Sequence, residues 1–500
     1  MIFNWLRPAA RLRIASLWAF ALLVTSTGSL AGPWLEAGDS SLRSDVQILA
    51  DGGRLLSPIM TWPMAWGDVM AALDESGDDW SPAEMAALAR LKRRMAEETR
   101  SDFVRLNADV SVAEKPVQIR SFEDVPREEG EVGIGFEYTG NWWATSVQGQ
   151  WVSDPQDGDD FRADGSYLGV ALGNWMLAAS LQDRWWGPGW QGSLILGNNA
   201  RPIPAFTLER NLTTPFKTKW LRWMGRWDLA LMYGFLEEER AVPNAHFIGM
   251  RLNFRPLKSL DIAISRTAMW CGDGEPCDFD AFVDVLFRGD SGFGESNPNQ
   301  LGGVDARWSN TAWGQPFAIY TQWIGEDEAN FYATDWLITA GGELWGHSDR
   351  FGTWRTFLEW SDTECDFRFY RSIRGDSGPG KPGCAYNHPN YSTGYRYKGR
   401  AIGHSVDGDS SVFTLGAILT GGDGNRWLLT GAIGNLNRRN AGPTSVAENK
   451  TRYREIEVVH KRGLWIGELS LGLGYDYRKD TITGVKDDNV RAFAEFGVKY

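Results

Sequence analysis

Residues 465–477 read Trp-Ile-Gly-Glu-Leu-Ser-Leu-Gly-Leu-Gly-Tyr-Asp-Tyr. Trp465, Gly467, Leu469, Leu471, Leu473, Tyr475 and Tyr477 share one side of a two-residue period, and Glu468, Ser470, Gly472, Gly474 and Asp476 share the other. An extended strand points successive side chains to opposite faces, so this segment has one apolar, aromatic face and one small, polar face. Inside a bilayer every backbone group must be satisfied by the protein itself, which strands achieve only in a closed barrel. The segment is read as a spanning strand with lipid on one side and lumen on the other.

The rhythm spreads outward from there. Val132, Ile134, Phe136 and Tyr138 alternate with Gly133, Gly135, Glu137 and Thr139. Trp227, Leu229, Leu231, Tyr233 and Phe235 repeat it, as do Ile248, Met250, Leu252 and Phe254. The chain ends with Val490, Ala492, Ala494, Phe496, Val498 and Tyr500 on one face, which resembles the terminal strand signal of bacterial outer-membrane proteins. Runs of about ten residues suit a tilted strand crossing a bilayer. A soluble β-sandwich also alternates, but its strands have no need of that length or of aromatic ends.

Working back from Tyr500, taken as periplasmic, strands fall near 489–500, 465–479, 452–461, 425–436, 410–421, 352–361, 334–345, 315–324, 302–309, 259–269, 246–254 and 227–237. Their connections alternate between short turns on one side and mostly long loops on the other, the asymmetry that barrels show. About six further strands are expected over 130–226, giving roughly eighteen antiparallel strands in an all-β transmembrane barrel.

Composition agrees. The chain has 57 Gly, 26 Trp, 24 Phe and 14 Tyr, yet its mean hydropathy is only −0.34. Apolar residues that alternate with polar ones reconcile a membrane protein with a hydrophilic average.

The N-terminus reads differently. Arg7, Arg11 and Arg13, the apolar run Ile14–Val24 and Ser29-Leu30-Ala31 form an expected signal peptide over residues 1–31. Residues 39–100 carry helical spacing, with Ser81-Pro82-Ala83-Glu84 as a capping box and proline start. A periplasmic helical segment is therefore expected over 32–125 and the barrel over 126–500, in the outer membrane of a Gram-negative bacterium.

Removing three arginines from 51 basic and 64 acidic residues leaves 48 − 64 = −16, which argues against nucleic acid as a partner. Four cysteines in an exported chain suggest up to two disulfides. Cys271–Cys277 and Cys365–Cys384 are the most economical pairs, with the other two connectivities open. Both pairs fall in the longest outer loops.

Gly-Asp-Ser-Gly occurs at 289–292 and 375–378, which resembles the nucleophile segment of trypsin-like proteases. No histidine has the matching surroundings, so neither Ser377 nor His404 makes a convincing catalytic residue, and turn chemistry accounts for the motif. Cysteine–histidine spacings fit no zinc site, and the acidic turns lack most calcium-loop positions, so no metal, cofactor or enzymatic activity is expected.

Two segments carry binding chemistry. Asp183-Arg184-Trp185-Trp186-Gly187-Pro188-Gly189-Trp190, followed by Asn198-Asn199-Ala200-Arg201-Pro202, offers rings to stack on sugars and polar groups for their hydroxyls; the alternative is a packed turn at the barrel rim or a segment folded into the lumen. Between 366 and 400, seven basic residues face two acids in an otherwise acidic chain, interleaved with Tyr386, Tyr391, Tyr395 and Tyr397. Guanidinium forks suit carboxylates, so an acidic polysaccharide is a sensible partner, through Tyr395, Arg396, Tyr397, Lys398 and Arg400. The alternative is pairing with lipopolysaccharide phosphates or lumenal acids.

Several stretches together resemble the Wzi family of capsule-assembly outer-membrane proteins. They are Ser44-Asp45 through Gly53 with Thr61-Trp62-Pro63-Met64-Ala65-Trp66, then Asp183 to Pro204, Phe357-Leu358-Glu359-Trp360, and Gly394 to His404. The likeness spans nearly the whole mature chain in the family's order. It implies an eighteen-stranded barrel with helices at its periplasmic end, acting as a lectin-like anchor for capsular or surface polysaccharide. The expected protein is a non-enzymatic monomer that contacts lipid, lipopolysaccharide and glycan. A porin-like diffusion channel with an in-folded loop is the second reading.

Overall fold

The computed structural model describes residues 34–75, 77–287, 298–329, 332–375 and 380–500. The leader expected over 1–31, the first Gly-Asp-Ser-Gly and Ser377 lie outside the described residues.

Alternation builds a closed antiparallel barrel. Its strands are β1 (Phe103–Glu114), β2 (Gly130–Thr139), β3 (Trp143–Ser153), β4 (Tyr167–Leu172), β5 (Trp175–Ser180), β6 (Ala205–Arg210), β7 (Arg226–Phe235), β8 (His246–Leu257) and β9 (Leu260–Trp270). They continue as β10 (Asn299–Ala312), β11 (Gln315–Ala329), β12 (Tyr332–Ser348), β13 (Gly352–Asp362), β14 (Ser411–Thr420), β15 (Asn425–Leu436), β16 (Thr451–Leu464), β17 (Gly467–Asp480) and β18 (Lys486–Lys499). A two-residue piece, Phe161–Arg162, also pairs with β3 beside β4. The barrel closes where β18 pairs with β1, and Tyr500 exchanges two backbone bonds with Leu106, each 2.7 Å.

The expected strands from 227 onward all form, with boundaries shifted by a few residues. The sixth upstream strand does not come from 130–226. It is β1, which lies ahead of residue 126, so the barrel starts earlier than the sequence reading places it. Val104, Leu106, Val110 and Val112 face outward and exposed, but their alternates Arg105, Asn107, Asp109 and Ser111 blend into the charged run that follows the helix.

Outward faces are predominantly apolar: Ile134, Leu358, Leu415, Leu473 and Val490 are all exposed. Inward faces carry Arg251, Asp305, Arg307, Glu343, Arg355 and Glu359, all buried. A row of buried charges on alternate positions means the lumen supplies their partners.

One end of the barrel has tight turns, such as Trp313-Gly314 and Trp465-Ile466, and the other has long loops. Three helices close the short-turn end. They are α1 (Ser40–Asp51), α2 (Trp66–Ala72) and α3 (Pro82–Glu98). The Ser81/Glu84 capping box forms as expected. Arg90 on α3 grips Asp45 of α1 at 2.5 Å and donates to Thr353 at the start of β13 at 2.7 Å. Arg105, near the start of β1, donates to the carbonyls of Glu97 and Glu98 at the end of α3. These contacts fix the helices inside the short-turn mouth.

Candidate functional site

The three shortest strands, β4 to β6, mark where the chain leaves the wall: residues 181–204 turn into the lumen between β5 and β6. There Trp185 and Trp186 pair with Trp62 and Thr61 in a short antiparallel ladder. The two tryptophan-rich motifs, more than a hundred residues apart in sequence, thus meet at the barrel axis.

The Gly-Pro-Gly turn is held from both sides. Arg43 of α1 donates to the carbonyls of Gly189 and Pro188, each 2.7 Å, with its guanidinium 4.4 Å from the rings of both Phe122 and Trp190. From the wall, Glu359 accepts the backbone N–H groups of Trp190, Gln191 and Gly192 at 2.7, 3.1 and 3.2 Å. Glu343 accepts from the Trp190 indole at 2.9 Å, from Arg307 at 2.6 Å and from Arg355 at 2.7 Å. Gly192 permits the close approach of His404, whose ring would lie 2.1 Å from any Cβ there. Each partly desolvated charge therefore has its partners, as a buried network requires.

This arrangement corrects part of the sequence reading. Trp185, Trp186 and Trp190 are 1–2 % exposed, so no ring face is open to a sugar. Arg184 is committed to Glu209 at 2.6 Å, and Asn198 donates to the Phe122 carbonyl. Tyr395 is buried, stacks on Tyr386 with centroids 5.9 Å apart, and donates to the Ile195 carbonyl at 2.7 Å. Tyr397 is buried as well. Arg396 is locked by Asp407 at 2.7 Å. Both candidate segments are thus halves of one plug; their shared feature is packing, and the aromatic residues serve it.

Three of the predicted residues, Arg201, Lys398 and Arg400, do converge on open space, with the buried Asn199 behind them. Asn199, Arg201, Lys398 and Arg400 come together at the long-loop end. Arg400 donates to the Asn199 carbonyl and side-chain oxygen at 3.1 Å, and to Gln156 at 3.3 Å. Arg201 holds Asp157, Asp159 and Asp164 at 2.7–2.8 Å, and Lys398 reaches Asp159 at 2.9 Å.

Two further cations were missed from sequence. Arg120 and Arg127 sit in the loop between β1 and β2, which folds inward behind Phe122. Nothing local marks them: they are single arginines in an acidic stretch. With Glu128, Gln156, Asp157, Arg201, Lys398 and Arg400 they line a narrow cleft of ≈ 20 Å³. Asp124, Asp183, Asp159 and Asp164 pair with four of its five bases, while Arg400 bonds only to the neutral oxygens of Gln118, Gln156 and Asn199. Burial, then the like charges of Arg120 and Arg127, pull Arg400 down to about 9. Burial and the neighbouring Arg127 likewise pull Arg120 down to about 10. Arg127 and Arg201 of the same lining are shifted upward by their carboxylate partners, so the deficit of negative charge is confined to Arg400 and Arg120.

On the other side of Arg127 lies a cavity of ≈ 1270 Å³, reaching from the plug to the α-helical end. Its lining holds thirteen carboxylates against seven bases, a net of −6. Burial lifts Glu36 to about 7, and it lifts Asp183 to about 6 even beside Arg127. The lumen is thus divided: a cationic cleft at the long loops, an acidic cavity at the short turns, and Arg127 lining both.

Both local disulfides are present, Cys271–Cys277 and Cys365–Cys384. Among the described residues no group of His, Cys, Asp and Glu is arranged to hold a metal. Ser361 and His404 form one buried pair, Nε2 to Oγ 2.9 Å, but burial drops the imidazole to about 3, far below the range of a general base at neutral pH.

A closed antiparallel barrel with an apolar outer face and a folded plug defines a transmembrane β-barrel of the bacterial outer-membrane class. Residues 105–482 match the family model for the capsule assembly protein Wzi, and the chain belongs to that family. A Klebsiella pneumoniae protein, described as an uncharacterised 55.8 kDa protein in the cps region, is 32% identical over 330 residues. That match covers 65% of this chain and 64% of the relative's length. The solved Wzi of Escherichia coli, described as an outer-membrane, carbohydrate-binding β-barrel involved in group 1 capsule assembly, is 26% identical. It superposes with a TM-score of 0.79 over 93% of this chain and 99% of its own.

Proposed function

We propose that this protein is a non-enzymatic, lectin-like barrel that holds exported acidic polysaccharide at the cell surface, gripping it in the cationic cleft at the long-loop end. The reading rests on one observation: Arg400 lies beside Arg120 and Arg127 and is bonded only to neutral oxygens. A carboxylate-bearing sugar supplies the counter-charge it lacks through charge-assisted, bidentate bonds. The family's capsule-assembly role and the carbohydrate binding described for the Escherichia coli protein support the same direction. In this reading the long loops face outward, the helices α1 to α3 face the periplasm, and the protein acts as a monomer.

Arg400, bonded only to neutral oxygens, is the preferred contact; Lys398, paired once with the partly exposed Asp159, is the second, and Arg396 is set aside because Asp407 and three plug oxygens hold it. The test is binding of purified protein to acidic and to neutral capsular polysaccharide across a salt series. Lys398→Gln with Arg400→Gln is expected to weaken acidic-glycan binding about tenfold or more, since each charged hydrogen bond contributes roughly 1.5–3 kcal/mol. Heat-modifiable migration of the variant serves as the folding control. Unchanged affinity in a folded variant removes the cleft from the account.

A further inference from the structure

We infer that α4 (Phe279–Phe287) and α5 (Arg368–Arg374) form a collar on the outside of the barrel that seats in a leaflet of phosphorylated, multiply acylated glycolipid. Both helices leave the long-loop end, and both are tied down by a disulfide. Cys271–Cys277 stands just before α4, and Cys365–Cys384 brackets α5.

Their packing places them on the outer wall. Phe282 of α4 lies 5.4 Å from Trp270 and 6.5 Å from Tyr233. Tyr233 pairs across the sheet with Ile248, and Ile248 with Ala268, so all three share one face. That face is opposite to Met232 and Leu301, which belong to the lumenal core. Ile248 points outward and is nevertheless 5 % exposed, because α4 covers it. Arg266, on the same outer face, donates to the Leu286 carbonyl at 3.1 Å. The second helix repeats the device. Phe367, at its start, packs 5.5 Å from Trp323 and 5.9 Å from Trp360, and Tyr370 packs 6.2 Å from Trp323. Ile338, the cross-strand partner of Trp323, is outward yet 4 % exposed.

With one face spent on the wall, each helix still shows large apolar side chains: Phe279 and Phe287 are 76 % and 67 % exposed, and Phe369 and Ile373 are 57 % and 68 % exposed. The barrel's own lipid-facing belt continues directly below them, so acyl chains are the occupant that covers both surfaces at once. The two helices differ in charge. Asp280 and Asp284 make α4 acidic, whereas α5 carries Arg368, Arg371 and Arg374 within seven residues. Phosphate on the headgroup is therefore assigned to α5, through the exposed Arg368 and Arg374, while α4 takes chains alone.

The inference rests on the outward orientation of the long loops, not on sugar binding. A photo-crosslinking residue placed at Phe287 or at Phe369 in cells is expected to capture phosphorylated glycolipid. The same residue at Phe351, exposed in a short turn, is expected to capture phospholipid. Adducts only to protein, or none, at both helices overturn the collar; glycolipid at Phe351 alone overturns the orientation. Arg368→Gln with Arg374→Gln, read by native mass spectrometry with bisphosphorylated lipid A, is expected to lose about tenfold in occupancy. Dephosphorylated lipid A should show no loss. An equal loss for both lipids, or none for either, overturns the phosphate assignment.

Discussion

On the wall, Ile134, Leu471 and Leu473 need nothing more specific than lipid on their outer side, and any apolar residue of that size would serve. Where the plug meets the wall, Glu343 of β12 needs Arg307 of β10, Arg355 of β13 and Trp190 of the plug at once, and no substitute satisfies all three. The wall tolerates many sequences with one rhythm; the plug accepts few sequences with no rhythm at all. One is held by a periodic solvent preference, the other by named pairs.

The sharpest way to separate the two is to break the plug and leave the wall standing. Glu343→Ala leaves the buried Arg355 without a carboxylate, while Arg307 keeps Asp51, a loss of about 3–5 kcal/mol by the usual cost of an orphaned buried charge. Limited proteolysis should cut within 181–204 in this variant, while heat-modifiable migration of the barrel persists. Loss of both together would show that wall and plug fold as one unit.

The reverse experiment loads the wall. Ile134→Arg at mid-strand should cost about 2–4 kcal/mol in folding into lipid vesicles, as measured for cations on a lipid face. The plug's protease resistance in the molecules that do fold should match the parent. An arginine tolerated there would mean that this face of β2 does not meet lipid.

The smallest effect comes from one histidine. His404 accepts the Val406 N–H at Nδ1, so its proton sits on Nε2 toward Ser361. Its folded pKa of about 3 lies below the ordinary 6.5, so the unfolded chain binds a proton first as pH falls. Stability from this residue is complete above about pH 6.5 and is lost toward pH 3. His404→Gln should flatten the acid side of a melting-temperature profile and change little at pH 7. A profile of unchanged slope would place the acid sensitivity elsewhere.

How much of this was legible in the sequence follows the same division. Strands with clean alternation, such as β7, β8 and β17, could be placed within a few residues because one face had to be apolar. β1 was hidden because its inward face, from Arg105 to Ser111, is as polar as a solvated helix. For the site, the segments were visible and their work was not. Trp185 and Arg396 have the chemistry of sugar contacts, but burial and Asp407 respectively commit them to the plug. Arg120 and Arg127 gave no local signal, since their importance comes from facing Arg400 across 270 residues of chain or more. The cation-rich loop was legible as a charge, while the outward turn of α5 depended on Phe367 finding Trp323 and Trp360.

The claim on which the account turns is that the motif segments fill the lumen and the protein presents a surface cleft instead of a pore. Planar-bilayer recording of the full chain tests it most directly, with Glu343→Ala alongside. The account predicts no conductance steps of porin size for the parent and new openings for the variant. Large, frequent steps from the parent protein would contradict it.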